Sequence, residues 1–467
     1  MTEKTSEFWQ RLRTARWSAE IAALLAGLVF FAQSLYYAHA NQVTMDEGTY
    51  LTKGLLYITG VYQPFQDYGP WTNKMPLAFL IPGWAQLAFG PGLRTGRYFS
   101  IFLGLLMLLA VWLVLRRISS RWWAAGILWV MAINVGNNML YSLAITQVIA
   151  ACMLAWVFVL CLGGKRPLWQ IALGGMLSAL MALTRENMLP VVPLLVLYVL
   201  WAQGWKAGAV ATAAAGVVLV GIHVLYWPKI MGLWLPWLPL ALRGPFSAVE
   251  LQVGDATLIS AQTTNLQTKW YVFWEGLRYN FLALAGLVTA GILWPARRNW
   301  KSEERFKSTV FLAATLAVLT GLHLWAALGK SYCVYCYTVY LPFFSLTGLL
   351  LVAVSFDSWL RRPPVWRQAL AALFLLVTTT GIGFGGYQAL DDWVLNLPVP
   401  RMRNMRILPG TTDLWRFLAN RFGWSFELLQ QLLPTVFGLL AGVLILALVA
   451  AAVRSEEHTS ELQSHSF

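Results

Sequence analysis

Apolar runs long enough to cross a lipid bilayer recur along this chain from Ala19 to Val453. A bilayer core takes about 20 apolar residues per helix, and lipid offers no hydrogen bonds, so each spanning segment must satisfy its own backbone. Of the 467 residues, 58% are hydrophobic and 12% charged, against roughly 25% charged in an ordinary soluble domain. The chain is therefore expected to be an all-α polytopic membrane protein with about 12 transmembrane helices. Spans are expected near 18–38, 97–115, 122–139, 142–162, 168–184, 187–203, 207–227, 279–295, 308–328, 334–356, 367–390 and 434–453. The apolar segment from Pro76 to Phe89 is too short to cross and carries Pro82 and Gly83 at its middle, so it reads as a helix lying on the membrane.

Charge tests this arrangement. The formal net charge is +14, but Lys and Arg cluster in short loops between apolar runs rather than on a soluble face. That distribution excludes nucleic acid as a partner and fits topology signals plus anionic lipid. With the N-terminus cytoplasmic, the inner loops hold groups such as Arg116, Arg117 and Arg121, Lys165 with Arg166, Arg297 through Lys307, and Arg361 with Arg362. Both termini then face the cytoplasm, as in a protein of the bacterial inner or plasma membrane, and three long segments face outward: 39–96, 228–278 and 391–433. These are rich in Trp, Tyr and Pro, which suits a cap of interfacial juxtamembrane helices. The first apolar run lacks a small-residue cleavage site and is expected to stay as an anchor. Residues 454–467 (RSEEHTSELQSHSF) break abruptly from the preceding composition and read as a non-native, translated adapter tail.

Several features read as structure. Cys333 and Cys336 form a C-x-x-C with no redox or zinc context, and Cys152 and Cys161 lie in apolar spans. The run from Gly381 to Gly386 lies in an apolar span with no preceding strand, so it predicts close helix packing and not a dinucleotide site. His39, His223 and His323 have no metal-ligand spacing, and no metal is indicated.

The chemistry lies in the first outer segment. Asp46 and Glu47 sit side by side in Met45-Asp46-Glu47-Gly48-Thr49-Tyr50. Then come Pro64-Phe65-Gln66-Asp67-Tyr68, Asn73-Lys74-Met75-Pro76, the short apolar helix, Phe89-Gly90, and Arg94 and Arg97 opening the second span. This order resembles the GT-C superfamily of glycosyltransferases, in particular bacterial relatives of the dolichyl-phosphate-mannose protein mannosyltransferases and of the lipid A aminoarabinose transferase. In that family an acidic pair follows the first membrane helix, a lysine-proline motif opens a juxtamembrane helix, and a Phe-Gly then an Arg precede the second span. The resemblance is clearest over residues 19–205 and weaker to 356. Where the family has Lys-Pro-Pro this chain has Lys74-Met75-Pro76, and Asn73 stands where some relatives carry a glutamate, which weakens any metal site there.

The resemblance implies an inverting transfer of a sugar from a polyprenyl-phosphate-linked donor to an extracytoplasmic acceptor. Such a transfer needs a base for the acceptor hydroxyl and cations for the departing phosphate. Asp46 matches the family's acidic position and is the expected base, with Glu47 orienting the acceptor or Asp46. The plainer reading is that the two acids cap an interfacial helix starting near Gly48. Lys74 matches the family's lysine and is expected on the donor phosphate, with Arg185 and Lys330 as further phosphate ligands. Asp67 and Tyr50 are secondary candidates. The implied organisation is a GT-C transmembrane core over 1–356, which includes the first two outer segments, and C-terminal transmembrane helices over 357–453. No cofactor is indicated by the residues, and the resemblance leaves room for a divalent ion. The rival classes are a flippase or transporter of lipid-linked sugars and a non-catalytic scaffold. A transporter would place its ionisable groups near the midplane on broken helices.

Overall fold

A computed structural model describes residues 17–66, 75–235, 238, 240–246, 264–329, 334, 344–358, 363–390 and 395–464. The chain forms two compact units, one comprising Ala19–Gly276 with Leu282–Arg362, the other Pro363–Phe467 with Met1–Ser18 and Leu277–Phe281.

The larger unit opens with α1 (Ser18–Ala40). Its buried residues, among them Ala19, Ala23, Ala26, Phe30 and Ser34, recur at helical spacing along one stripe, while Leu24, Leu28 and Phe31 stay exposed. A helix with apolar residues all round is one that meets lipid on the side away from its neighbours. Two shorter helices follow, α2 (Met45–Ile58) and α3 (Pro76–Phe89), and then the long α4 (Leu93–Ile118). Alongside or beyond α4 come α5 (Arg121–Ile133), α6 (Val135–Tyr141), α7 (Thr146–Cys161), α8 (Leu168–Ala182), α9 (Val191–Gln203) and α10 (Trp205–Leu225). The helices α11 (Leu266–Leu293), α12 (Glu303–Leu324) and α13 (Ser345–Asp357) complete the order. At the end of α13, Asp357 accepts from Lys301 Nζ at 2.8 Å and Arg305 Nη1 at 2.6 Å, and Ser119 Oγ donates to it at 3.2 Å. That cluster ties the ends of α4 and α13 to the start of α12.

Among the described residues, seven helical segments have the length and apolarity of a membrane span, or eight if the bent pair α6 and α7 counts as one. The chain is accordingly an integral membrane protein; the described residues hold fewer spans than the twelve expected, and the span expected at 334–356 lies partly outside them. The physical reason is visible at the interruptions. The run expected at 122–139 is cut at Asn134, whose side chain leaves the helical ladder to cap α6 by accepting from Asn137 N at 2.9 Å. The run expected at 142–162 begins only at Thr146, after a 103° bend. The helices α5 and α8 are apolar but have 13 and 15 residues.

The smaller unit is built on α14 (Val365–Leu390) and α16 (Phe426–Ser464). They cross closely because Gly383 and Gly438 face each other: a Cβ on Gly383 would strike the Pro434 carbonyl, and one on Gly438 the Thr379 carbonyl. Gly383 belongs to the glycine run read as a packing element. Between the two helices lie the strands β1 (Arg401–Arg403) and β2 (Arg406–Leu408) and the helix α15 (Leu414–Phe422).

Candidate functional site

The acidic pair begins α2, and the helix is capped by the residue before it. Thr44 Oγ1 accepts from Glu47 N at 3.3 Å, and Glu47 Oε2 accepts from Thr44 N at 3.0 Å. This reciprocal arrangement satisfies two of the amide donors that a helix start leaves orphaned. The helix therefore starts at Met45 rather than near Gly48, with Asp46 and Glu47 both in its first turn, where negative charge meets the positive end of the helix dipole.

The two acids have different surroundings. Glu47 is fully buried. Its Oε1 accepts from Arg97 Nε at 2.8 Å and from Ala144 N at 2.9 Å; its Oε2 accepts from Arg97 Nη2 at 2.9 Å and from both donors of Thr44. Burial alone pushes the carboxyl up, but the bonds from Arg97, Ala144 and Thr44 outweigh it and hold the pKa below its ordinary 4.5. Arg97 is almost as buried, and its remaining N–H groups reach the carbonyls of Ala38, Asn41 and Gln42 at 2.8–2.9 Å. One guanidinium thus uses its full donor set to fasten the end of α1 to the start of α2. Asp46, by contrast, is half-buried.

On the next turns of α2 an open groove of about 500 Å³ is lined by Met45, Gly48, Thr49, Thr52, Lys53, Leu56 and Tyr62. Lys53 lies two turns from Asp46 on the same side of the helix, and its side chain is 7% exposed. The opposite face of α2 is closed by α3. Tyr50, Tyr57, Ala78 and Phe79 form a buried cluster, with the Tyr50 and Phe79 rings 5.7 Å apart. The backbones meet at Gly54 and Gly83, where a Cβ on Gly54 would lie 2.5 Å from the Phe79 carbonyl oxygen. Gln86 adds a buried bond, donating to the Leu51 carbonyl at 2.8 Å.

The bend at residues 142–146 links this acid centre to a second expected element. Ala144 N reaches Glu47, and two residues on, Thr146 Oγ1 accepts from Arg185 Nη1 at 2.7 Å. The turn that carries Arg185 is also tied to the start of α3, because Leu77 N donates to the Leu183 carbonyl at 3.2 Å. Met75, Leu77 and Leu183 bury together at that junction.

Of the residues expected from the sequence, the structure thus gathers Asp46, Glu47 and Arg185 around α2 and the 142–146 bend. It places Tyr50 in packing contact with α3. Asp67, Lys74 and Lys330 lie outside the described residues, as do Cys333 and Cys336. Two further residues join the site once the fold is seen. Arg97 marks the start of α4 in the sequence, but nothing in the sequence pairs it with an acid fifty positions earlier. Lys53 was findable from its i, i+7 spacing to Asp46 on a predicted helix. Among the described residues no group of three or more His, Cys, Asp or Glu side chains is placed to hold a metal ion. The site thus combines a half-buried carboxylate, Asp46, with a groove lined by Lys53, Thr49 and Thr52.

No family model and no curated protein matches the chain. Among solved structures, it is similar to the Archaeoglobus fulgidus oligosaccharyltransferase in the apo form, with 13% identity and a TM-score of 0.47. The match covers 91% of this chain and 56% of the other, so the chain spans little more than half the length of that protein. A likeness of this size carries neither family membership nor activity to the present chain.

Proposed function

We propose that this protein is a membrane glycosyltransferase of the GT-C type that transfers a sugar from a polyprenyl-phosphate-linked donor to an acceptor on the extracytoplasmic side, with inversion. The observation that carries this reading is the division of labour within the acid pair: Glu47 is locked by Arg97, Ala144 and Thr44, while its neighbour Asp46 is half-buried on the same side of α2 as Lys53, which lines the groove.

In this reading Asp46 takes the proton of the acceptor hydroxyl as the acceptor oxygen forms its bond to the anomeric carbon. The bond from that carbon to the phosphate oxygen breaks, and the polyprenyl phosphate leaves with the electron pair. Cationic and hydroxyl donors aimed at the departing phosphate stabilise the charge that develops there. Lys53, Thr49 and Thr52 are proposed for this task, with Lys74, Arg185 and Lys330 as further phosphate ligands. Glu47 is a positioning residue: it is saturated with hydrogen bonds, its pKa is held down, and it is not accessible to an acceptor. Tyr50 supports α2 from its packed side.

The rival reading, a flippase of lipid-linked sugars, draws on the bent α6 and α7 pair, since broken helices mark transport sites. Here, however, an amide freed by the bend, Ala144 N, is spent on Glu47 and not on an open cavity. The test is transfer of radiolabelled sugar by the purified protein in nanodiscs across a panel of polyprenyl-phosphate sugars and acceptors, run beside a carrier-flipping assay. Turnover supports the transferase. Carrier movement without turnover across the panel overturns it in favour of the flippase.

A further inference from the structure

The two strands of the smaller unit form an antiparallel hairpin in the register Arg401 with Leu408, Met402 with Ile407 and Arg403 with Arg406. Its two-residue turn, Asn404 and Met405, has both residues at positive φ, the geometry of the tightest hairpins. Side chains alternate along a strand, so Arg401, Arg403 and Arg406 share one face while Met402 and Ile407 share the other. Like charges directly opposite each other are unfavourable, and this register sets Arg403 across from Arg406. Among the described residues none of these three arginines has an ion-pair partner, and the acid that follows, Asp413, lies 3.9 Å from Arg416 instead. The apolar side is just as open: Met402 is 74% exposed, Ile407 75%, and Met405 at the tip 92%.

The hairpin is not a loose appendage. Val399 N donates to the Thr412 carbonyl, Leu414 N to the Leu397 carbonyl and Trp415 N to the Leu395 carbonyl, so its base is joined to the start of α15. That helix shows a similar segregation, with Leu414, Phe417, Leu418 and Phe422 on one stripe and Arg416 and Asn420 on the other, while Arg421 falls on the apolar stripe in the last turn. No residue of α15 is buried. The segment also joins two candidate spans, Val365–Phe384 and Phe426–Ala450, whose helices pack on each other. It therefore starts and ends at a membrane surface.

We propose that the 401–408 hairpin and α15 lie on the headgroup layer of the bilayer and bind anionic phospholipid, with Arg401, Arg403 and Arg406 on the phosphates and Met402, Met405 and Ile407 in the acyl boundary. An isolated two-stranded hairpin is barely stable in water, and an interface with an anionic layer on one side and hydrocarbon on the other complements both of its faces. Phosphates between Arg403 and Arg406 convert their repulsion into shared attraction.

Trypsin cuts after each of these arginines, so the unmodified full-length protein in nanodiscs reports directly on their cover. Cleavage at Arg401, Arg403 and Arg406 is expected to be about tenfold slower in phosphatidylglycerol-containing discs than in phosphatidylcholine discs. Inorganic phosphate at the same concentration in phosphatidylcholine discs is expected to give no such protection. Equal cleavage in both lipids, or protection by free phosphate alone, overturns the proposal. A second measurement reads depth. A spin label at Met405→Cys, in a chain whose native cysteines are replaced, is expected to collide with oxygen more than with a water-soluble nickel chelate, and to reverse that preference when all three arginines become Glu. A label that stays in water in every disc, or one seated in lipid regardless of lipid charge and of the arginines, overturns it, the latter by removing the anionic contact.

Discussion

Arg97 and Glu47 meet as a bidentate ion pair, at 2.8 and 2.9 Å, with side chains 2% and 0% exposed, and through it the end of α1, the start of α2, the start of α4 and the bend before α7 are held at one point. Both charges have left water, so each depends on the other and on the surrounding backbone groups.

Removing one member of this pair is expected to be far more damaging than its share of the surface suggests. Glu47→Ala or Arg97→Ala leaves a buried charge uncompensated, which costs about 3–5 kcal/mol. Arg97→Lys is not conservative here, because one ammonium cannot replace a forked donor set that reaches a carboxylate and three carbonyls. Thermal melts in detergent followed with a thiol-reactive dye, which reads exposure of buried Cys152 and Cys161, check both.

The lowered pKa of Glu47 gives a pH dependence with a definite sign. A carboxylate whose folded pKa lies below its unfolded value stabilises the fold fully above the unfolded value, and that contribution is lost as pH falls through the folded one. Melting temperature, followed by tryptophan fluorescence, is therefore expected to hold from neutral pH down to about 5 and to fall below 4.5, the ordinary value for this group. In Glu47→Gln that part of the fall is expected to vanish.

The crossing of α2 and α3 predicts opposite outcomes for two glycines on one helix. Gly54→Ala places a methyl 2.5 Å from the Phe79 carbonyl oxygen and is expected to destabilise by about 1–3 kcal/mol. Gly48→Ala meets nothing within 4 Å and is expected to stabilise slightly, since Ala is favoured over Gly in a helix by about 1 kcal/mol. The same melts compare the pair directly.

Much of this was readable before any fold was known, and the gaps have physical reasons. The helix from Pro76 to Phe89 begins and ends where its proline and glycine signals place it. The packing role of the glycine run holds at Gly383. The capping role of the acids was half legible: Thr44 and Glu47 stand three apart, the spacing of a capping box, which moves the helix start three residues ahead of Gly48. Hydropathy could not tell a continuous span from the broken run at Asn134, because a single capping side chain hardly changes the average over a long window. Nor could spacing pair Arg97 with Glu47, because that contact is made by the packing of α4 against α2.

Lys53 carries a prediction of its own under the proposed transfer. Lys53→Gln is expected to raise the donor KM about tenfold to a hundredfold, the loss of one charge-assisted hydrogen bond, with a smaller effect on kcat. Steady-state kinetics with varied donor at saturating acceptor separates the two. An unchanged KM would remove Lys53 from the donor site.

The most direct measurement compares the two adjacent acids in one sugar-transfer assay, using folded protein in nanodiscs with Asp46→Asn and Glu47→Gln beside wild type. Asp46→Asn is expected to keep the wild-type melting temperature and lose transfer. Glu47→Gln is expected to lose melting temperature, and to retain transfer in whatever fraction stays folded. Full turnover by Asp46→Asn, or a folded Glu47→Gln with no activity, would contradict the assignment of Asp46 as base and Glu47 as its support.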